Sequence, residues 1–294
     1  MPANFVELAI EAEKAGYDAV WTVDSWSDER SSPLVALAEN TRRIRLGTGM
    51  VAISGQSPAI PGVDALGSDR IDGSDRAGIL NRATAGRLIV GLDVSDLHQE
   101  VETLGPPASV ESARRGGEIP VWVGAEGPER VEEVCAVADG WFPPFYSPWR
   151  AEIFHDQIKD RRKGFAICVA TSLMVHSDVE EALWGTRVAL ASYAARADTA
   201  GVGADRQDHR LRLMAGMGIE EHVPLIRKLF LEGDRVGAAG AVPTEVADEI
   251  SLVGSVDRIR DRVQAWEESA VTMLNVAPCT VAEVWEIAEL VKGR

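Results

Sequence analysis

The sequence lacks the patterns that mark several classes of protein. Its three cysteines lie far apart and form no C-x-x-C pair, so neither a zinc site nor a disulfide framework is indicated. No run of about 18 apolar residues is present, so we expect no membrane-spanning helix. Only 5 of the 30 basic residues are lysines, and the net charge is −16. This charge argues against binding to nucleic acid, because that affinity comes from neutralised phosphates.

The five histidines show no metal-ligand spacing on one helix face, so we expect no metal site. One of them, His209, falls in the polar stretch GVGADRQDHR, which predicts a solvated loop. The N-terminal stretch is acidic and amphipathic, unlike a secretory signal. Together with the isolated cysteines, this predicts a cytoplasmic protein that has no membrane partner.

What the sequence does contain is a repeated alternation of amphipathic helices and short apolar strands. In FVELAIEAEKAGYDAVWTV, the residues Phe5, Leu8 and Ala12 share one helix face, and Gly16 ends the helix. A second helix is predicted from Pro33. Strands are predicted at 17–23, 43–53, 86–93, 119–125, 139–145, 164–175 and 271–278, and helices at 128–138, 179–197, 220–231 and 255–268.

Continuous apolar strands between helices indicate a parallel sheet that is covered on both faces. No G-x-G-x-x-G motif follows the first strand, which removes the usual dinucleotide signal of an open, doubly wound sheet. The sequence therefore favours an α/β fold of the TIM-like (β/α)8 barrel type. In such barrels the functional residues follow the carboxyl ends of the strands.

The segment RIRLGTGMVAI, residues 43–53, combines a buried strand with two glycines, Gly47 and Gly49. Glycine weakens a strand interior and often marks a bulge, or a place where another group approaches the backbone closely. The segment alone leaves both interpretations open.

Five segments carry a resemblance to a known family: FVELAIEAEKAGYDAVWTVDSW, RIRLGTGMVAISGQSPAI, GRLIVGLDVS, IPVWVGAEGPERVEEVCAVADGWFPPFYSP and EISLVGSVDRIRDRVQAW. In this order they resemble the bacterial luciferase-like superfamily, and most of all its coenzyme F420-dependent oxidoreductases, relatives of methylenetetrahydromethanopterin reductase. The resemblance implies a single TIM-barrel domain over residues 1–294. It also implies F420 as cofactor, with FMN as the alternative, and a small-molecule substrate.

By the same resemblance, a cofactor site is expected at the mouth of the barrel. Asp24 and Ser25 would take catalytic roles near the cofactor ring, although relatives commonly have histidine where this chain has Ser25. A hydroxyl is a poor acid near neutral pH, and Asp24 is equally consistent with a turn or helix cap. The cofactor-binding residues implied, besides Asp24, are Gly49, Met50, Val51, Ser95, Ala125, Glu126, Gly127 and Pro128.

The loop from Ala125 to Pro128 has support of its own. It follows a predicted strand and begins a helix, and the free N–H groups at a helix N-terminus bind anions. In similar proteins this loop helps to hold the cofactor phosphate, although an ordinary strand-to-helix turn would use the same glycine and proline. Glu126 is an unfavourable neighbour for a phosphate.

Four aromatic residues are candidates for lining an apolar substrate pocket: Trp26, Phe145, Tyr146 and Trp149. Aromatic side chains beside loops also serve plain packing, which is the alternative here. Relatives are often dimers, and an open sheet edge would favour pairing, so we expect a homodimer.

The sequence departs from the family in three places. The chain starts almost directly in the first helix, so the first barrel strand is missing and we find seven strands instead of eight. Residues 74–85 resemble an insertion, and the short connection before residue 119 leaves little room for one crossover helix. We therefore expect an incomplete barrel with an exposed sheet edge.

Three functions follow from the sequence. The first is an F420-dependent oxidoreductase that transfers a hydride between the deazaflavin C5 and a small organic substrate. The second is an FMN-dependent luciferase-like monooxygenase. The third is a non-catalytic flavin- or deazaflavin-binding protein with a degenerate barrel.

Overall fold

The computed structural model describes residues 4–22, 33–52, 73–93, 110–111, 114, 118–196 and 204–293. Helices and strands alternate through these ranges. The first half contains α1 (Phe5–Ala15), β1 (Ala19–Thr22), α2 (Pro33–Asn40), β2 (Arg45–Ala52), α3 (Gly73–Ala83), β3 (Leu88–Asp93), β4 (Val121–Gly124), α4 (Pro128–Val137) and β5 (Gly140–Phe142).

The second half begins with a 3₁₀ turn at Pro148–Arg150 and has another at Glu220–His222. No helix in the described ranges is long and apolar enough to cross a bilayer. The elements are α5 (Glu152–Ile158), β6 (Ala166–Ala170), β7 (Leu173–Val175), α6 (Val179–Ala182), α7 (Trp184–Ala195), α8 (Ala204–Gly216), α9 (Val223–Leu231), α10 (Arg235–Gly240), α11 (Thr244–Glu249), β8 (Leu252–Gly254), α12 (Val256–Glu267), β9 (Met273–Asn275) and α13 (Val281–Lys292).

Seven strands form one parallel sheet in the order β1-β2-β3-β4-β5-β6-β9. The two remaining strands, β7 and β8, pair in parallel with each other. The large sheet is curled. This is shown by Trp21 of β1, which contacts Trp122 of β4 and Phe142 of β5 across the inner face of the sheet. The predicted α/β fold, an incomplete TIM-like barrel, is confirmed.

The curled sheet separates two apolar cores. The larger core lies between the outer face of the sheet and the helices. The smaller one fills the inside of the curl, and its side chains come from both edges and from the middle: Ala19, Trp21, Ile89, Trp122, Phe142, Ala166, Cys168 and Met273. Three aromatic rings thus occupy most of the inner space, with centroids 4.9–5.6 Å apart.

Glycines make room for these rings. A Cβ atom on Gly47 would lie 2.4 Å from the ring of Trp21, and one on Gly140 would lie 2.9 Å from the ring of Trp122. Both distances are shorter than side-chain contacts allow. Gly47, which looks misplaced in a buried strand, is therefore required by the tryptophan on the neighbouring strand.

The edges β1 and β9 face each other without pairing. Together with Trp266 they line a cleft of about 250 Å³, and among the described residues no strand lies between them. Outside the cleft, α1 and α13 close the gap, and the hydroxyl of Tyr17 donates a hydrogen bond of 2.9 Å to the carbonyl of Val284. The predicted incompleteness of the barrel is located here.

Two expectations about local structure need correction. The single strand predicted over 164–175 is split into β6 and β7, which belong to different sheets. His209 lies in the helix α8 and not in a loop. The segment 74–85, which the sequence predicts to be an insertion, contains most of the helix α3 between β2 and β3. Most of the connection between β3 and β4 lies outside the described residues.

Asp139 joins β4 and β5 at the base of the sheet. Its carboxylate accepts hydrogen bonds from the backbone N–H of Val121 (2.9 Å) and from Arg114 (2.7 Å), and it also pairs with Arg162. Partial burial acts to raise the pKa of Asp139, but these donors outweigh it and lower the pKa below its usual value.

A pair of glycine variants tests the packing of the inner core. Gly47→Ala should lower the free energy of unfolding by about 1–3 kcal/mol, because the added methyl overlaps Trp21. Gly240→Ala is the matched control, since nothing lies within 4 Å of its added methyl at the end of α10. It should stabilise the protein by up to about 1 kcal/mol. Urea unfolding measures both, and equal effects would contradict the packing described.

The variant Asp139→Asn tests the ionic link between β4 and β5. At neutral pH we expect a loss of about 1–3 kcal/mol in the free energy of unfolding. Because the folded pKa is lowered, the carboxylate stabilises the protein above the pKa of an unfolded aspartate, and this contribution disappears as the pH falls toward the folded pKa. The difference between the two proteins should therefore shrink in acid, as measured by chemical unfolding at several pH values. A difference that does not change with pH would contradict the assignment.

Candidate active site

All seven strands of the large sheet end at one cavity of about 1090 Å³. The lining includes the last residue of each strand, or Gly49 in the case of β2: Thr22, Gly49, Asp93, Gly124, Phe142, Ala170 and Asn275. Side chains of α7 and α8, among them Tyr193 and Arg210, line it from the side. The site therefore lies where a parallel barrel gathers ligands, and its size suits a small organic molecule.

Gly49 lies at a break in the strand register. The pairing of β2 with β3 shifts between Thr48 and Val51, so β2 bulges at Gly49 and Met50. A Cβ on Gly49 would lie 3.0 Å from the Cα atom of Gly91 on β3. Gly49 therefore marks a bulge and also a close approach to the backbone. The group that comes close is the neighbouring strand β3.

The loop after β4 presents Ala125 and Glu126 to the cavity. Gly127 follows with φ +86°, a left-handed conformation that favours glycine, and Pro128 is the first residue of α4. The ring of His209 packs on Gly127, since an added Cβ there would lie 2.7 Å from its Cδ2 atom. Helix α8 therefore covers this loop from outside.

Glu126 is paired with Arg210 of α8. The Arg210 guanidinium donates to the carboxylate at 2.8 Å, and both side chains are mostly buried. Arg210 also lies over the ring of Tyr193, 5.2 Å from its centroid. The negative charge that made Glu126 an unfavourable neighbour for an anion is therefore balanced by a cation that sequence spacing did not suggest.

Tyr193 brings a buried hydroxyl to the same corner. The hydroxyl has no hydrogen-bond partner among the described residues. Burial, followed by the charge of Glu126, raises the pKa of Tyr193, so the phenol stays protonated at physiological pH. Trp21, which also lines the cavity, has a buried indole N–H without a described partner. Both groups are buried in the packing that surrounds the cavity.

Phe142 and Phe145 form the apolar part of the lining, and Phe145 packs edge-on against Tyr193 at 5.1 Å. The expectation for Tyr146 and Trp149 needs correction, because neither residue lines this cavity. Tyr146 is buried in a stack with Phe154, and Trp149 is half-exposed beneath the guanidinium of Arg262. Both side chains pack between elements.

The comparison with family models decides the family. The model described as luciferase-like monooxygenase matches residues 1–69 and 93–273, which is most of the chain. The chain belongs to this family.

Two curated relatives of this luciferase-like protein cover nearly its whole length. A Mycobacterium tuberculosis protein, whose name describes it as a coenzyme F420-dependent oxidoreductase, is 28% identical over 99% of this chain and 95% of its own. The 5,10-methylenetetrahydromethanopterin reductase of Archaeoglobus fulgidus is 23% identical over 90% of this chain and 86% of its own.

Among solved structures, the luciferase-like chain matches the coenzyme F420-dependent tetrahydromethanopterin reductase of Methanopyrus kandleri. The TM-score is 0.70 over 100% of this chain and 95% of that one, at 16% identity. This likeness establishes the fold.

Several of the residues predicted for the site fall outside the described ranges or are described only in part. Asp24, Ser25, Trp26 and Ser95 lie outside the described residues, and Met50 and Val51 are described only as part of the strand β2. Within the described ranges, no group of three or more His, Cys, Asp or Glu side chains could hold a metal ion.

Five further residues line the cavity although the sequence did not indicate them: Thr171, Ser172, Tyr193, Arg196 and Arg210.

Proposed function

We propose that this protein is a coenzyme F420-dependent oxidoreductase that acts on a small organic substrate. The observation that carries the proposal is the cavity at the carboxyl ends of all seven strands, with the balanced Glu126–Arg210 pair in its lining. The relative that is named for coenzyme F420 and matches 99% of this chain supports the choice of cofactor. The proposal treats residues 1–294 as one luciferase-like domain.

The residues present fit such a cofactor. Gly49 lines the cavity next to the bulge of β2 and has no side chain of its own, which suits close approach of a flat ring. The loop from Ala125 to Pro128 offers the start of a helix to a phosphate, and Arg210 adds a positive charge next to it. Met50, Val51 and Ser95 complete the proposed set of cofactor-binding residues.

When bound, F420 supplies the hydride chemistry at C5 of its deazaflavin ring. The chain would contribute orientation and exclusion of water. Phe142 and Phe145 keep one wall apolar, and Tyr193, whose raised pKa keeps its phenol neutral, packs beside Arg210. Asp24 and Ser25 are proposed to act near the reacting atoms, and Trp26 to contact the substrate.

Two other functions have specific support. The name of the matching family model, luciferase-like monooxygenase, favours an FMN-dependent monooxygenase as the second candidate. The unpaired edges β1 and β9 favour a non-catalytic cofactor-binding protein as the third. We also propose a homodimer, as in the proteins that the sequence resembles, and a cytoplasmic location, in keeping with the isolated cysteines.

Titration of the purified chain with F420 and with FMN, followed by fluorescence, separates these functions. The proposal predicts saturable binding of F420 and weaker or no binding of FMN. A preference for FMN would support the monooxygenase. Binding of neither would reject both enzymes, and tight F420 binding without turnover by any acceptor would favour the non-catalytic protein.

Two variants with opposite expected effects on F420 affinity test the anion-binding role of the Glu126–Arg210 pair. Arg210→Met should weaken F420 binding by about 10- to 100-fold, as expected for the loss of a charge-assisted hydrogen bond. Glu126→Gln should strengthen it several-fold, because it frees Arg210 and removes a negative charge.

The matched control is Glu249→Gln. Glu249 forms a similar ion pair with Arg150 at 2.5 Å, away from the cavity lining. This variant should lower stability and leave F420 affinity unchanged. If Arg210→Met and Glu126→Gln weaken binding equally, the pair only holds the fold together and the proposed subsite is wrong.

A further inference from the structure

Three hydroxyl groups lie side by side in the wall of the cavity where β6 ends. Thr171 and Ser172 follow the last residue of β6, and Thr186 faces them from α7. Behind them, fully buried and outside the cavity lining, lies Ser251. The four hydroxyls are linked to one another or to backbone carbonyls, so the direction of each hydrogen bond can be deduced.

Ser251 sets the direction of the whole hydrogen-bond chain. Its hydroxyl donates to the carbonyl of Ala247 at 2.8 Å, which uses its only hydrogen. The contact of 3.0 Å between Ser251 Oγ and Thr186 Oγ1 therefore has Thr186 as donor. Because Thr186 has then used its hydrogen, the contact of 3.0 Å between Thr186 Oγ1 and Ser172 Oγ has Ser172 as donor.

The hydroxyl of Thr171 has also used its only hydrogen, in a bond that is separate from this chain. It donates to the carbonyl of Ile250 at 2.8 Å. Neither Thr171 nor Ser172 thus has a hydrogen left for a ligand, while each oxygen keeps a lone pair that can accept one. The side-chain hydroxyls of this part of the wall therefore accept hydrogen bonds from a ligand and do not donate to it.

The charges of the lining narrow the class of ligand further. Its described side chains that carry a charge at neutral pH are Asp93, Glu126, Arg196 and Arg210, two of each sign. The described lining of the cavity therefore has no net charge that would favour an ammonium group over a neutral hydrogen-bond donor. A neutral hydroxyl group is the complement of this surface, whereas a carbonyl oxygen would face lone pairs.

We propose that the Thr171–Ser172 wall binds the hydroxyl group of a neutral alcohol, and that Ser251 fixes this preference from outside the cavity by setting the direction of the hydrogen-bond chain. The identification of that alcohol as the substrate rests on the proposed function. The binding preference itself does not. Ser251 is accordingly a positioning residue and Ser172 a ligand-contacting one.

The test compares cyclohexanol with cyclohexanone, which differ in hydrogen-bond character and little in size. Their dissociation constants are measured by ligand-observed NMR on the full chain, with and without F420. The native protein should bind the alcohol about 5- to 10-fold more tightly, the value of one net hydrogen bond. Equal affinities, preference for the ketone, or binding of neither would overturn the proposal.

Ser251→Ala provides the sharper readout. Without Ser251, Thr186 can donate to Ser172, which releases the Ser172 hydrogen toward the cavity. The preference for alcohol should fall to about one or reverse, although no residue of the cavity wall has changed. Thr186→Val interrupts the same chain at its centre and should shift the preference in the same direction. An unchanged preference in both folded variants would overturn the role of Ser251.

A matched control separates this effect from general disturbance. Ser192 also lines the cavity but lies outside the hydroxyl chain, so Ser192→Ala should keep the native preference. If it shifts the ratio as Ser251→Ala does, the hydrogen-bond direction is not the cause. An alcohol preference that disappears in Ser251→Ala while F420 fails to bind would support the wall and reject the F420 function. F420 binding without any alcohol preference would reject the wall alone.

Discussion

The fit of two tryptophans against bare glycine backbone is the constraint on which this structure depends. Trp21 lies over Gly47, and Trp122 lies over Gly140. The rings fill the inside of the curl and contact Phe142, so strands far apart in the sheet share one core. This shared core holds the sheet in a curl even though β1 and β9 do not pair, and the curl brings the strand ends to a common cavity.

Much of the fold could be predicted from the sequence because parallel strands and their helices have strong hydrophobic patterns. The strands near 88–93 and 121–124, and the helix that begins at Pro128, lie where the pattern predicts them. The three-residue strand β8 was missed because so short a run has no period of its own. The first part of helix α8, up to residue 210, was predicted as a loop because its sequence is polar and follows two glycines. The break between β6 and β7 depends on the pairing of Leu173–Val175 with β8, which local sequence does not encode.

The site was less accessible to prediction, since it depends on contacts between residues far apart in the chain. Glu126 and Arg210 are separated by 84 positions, and Ser172 and Ser251 meet only through Thr186. The glycines of β2 could be recognised as special, but their reasons are Trp21 on one side and Gly91 on the other. Predicted aromatic residues such as Tyr146 pack elsewhere, because a ring beside a loop can serve either purpose.

The central claim is that an incompletely closed barrel still presents an intact cofactor site at its strand ends. Amide hydrogen exchange of the full chain, with and without F420, tests it most directly. The account predicts slower exchange with F420 in the bulged end of β2, from Gly49 to Ala52, and in the start of α4, from Glu126 to Val131. Unchanged exchange in both segments, or slowing confined to the cleft between β1 and β9, would contradict it.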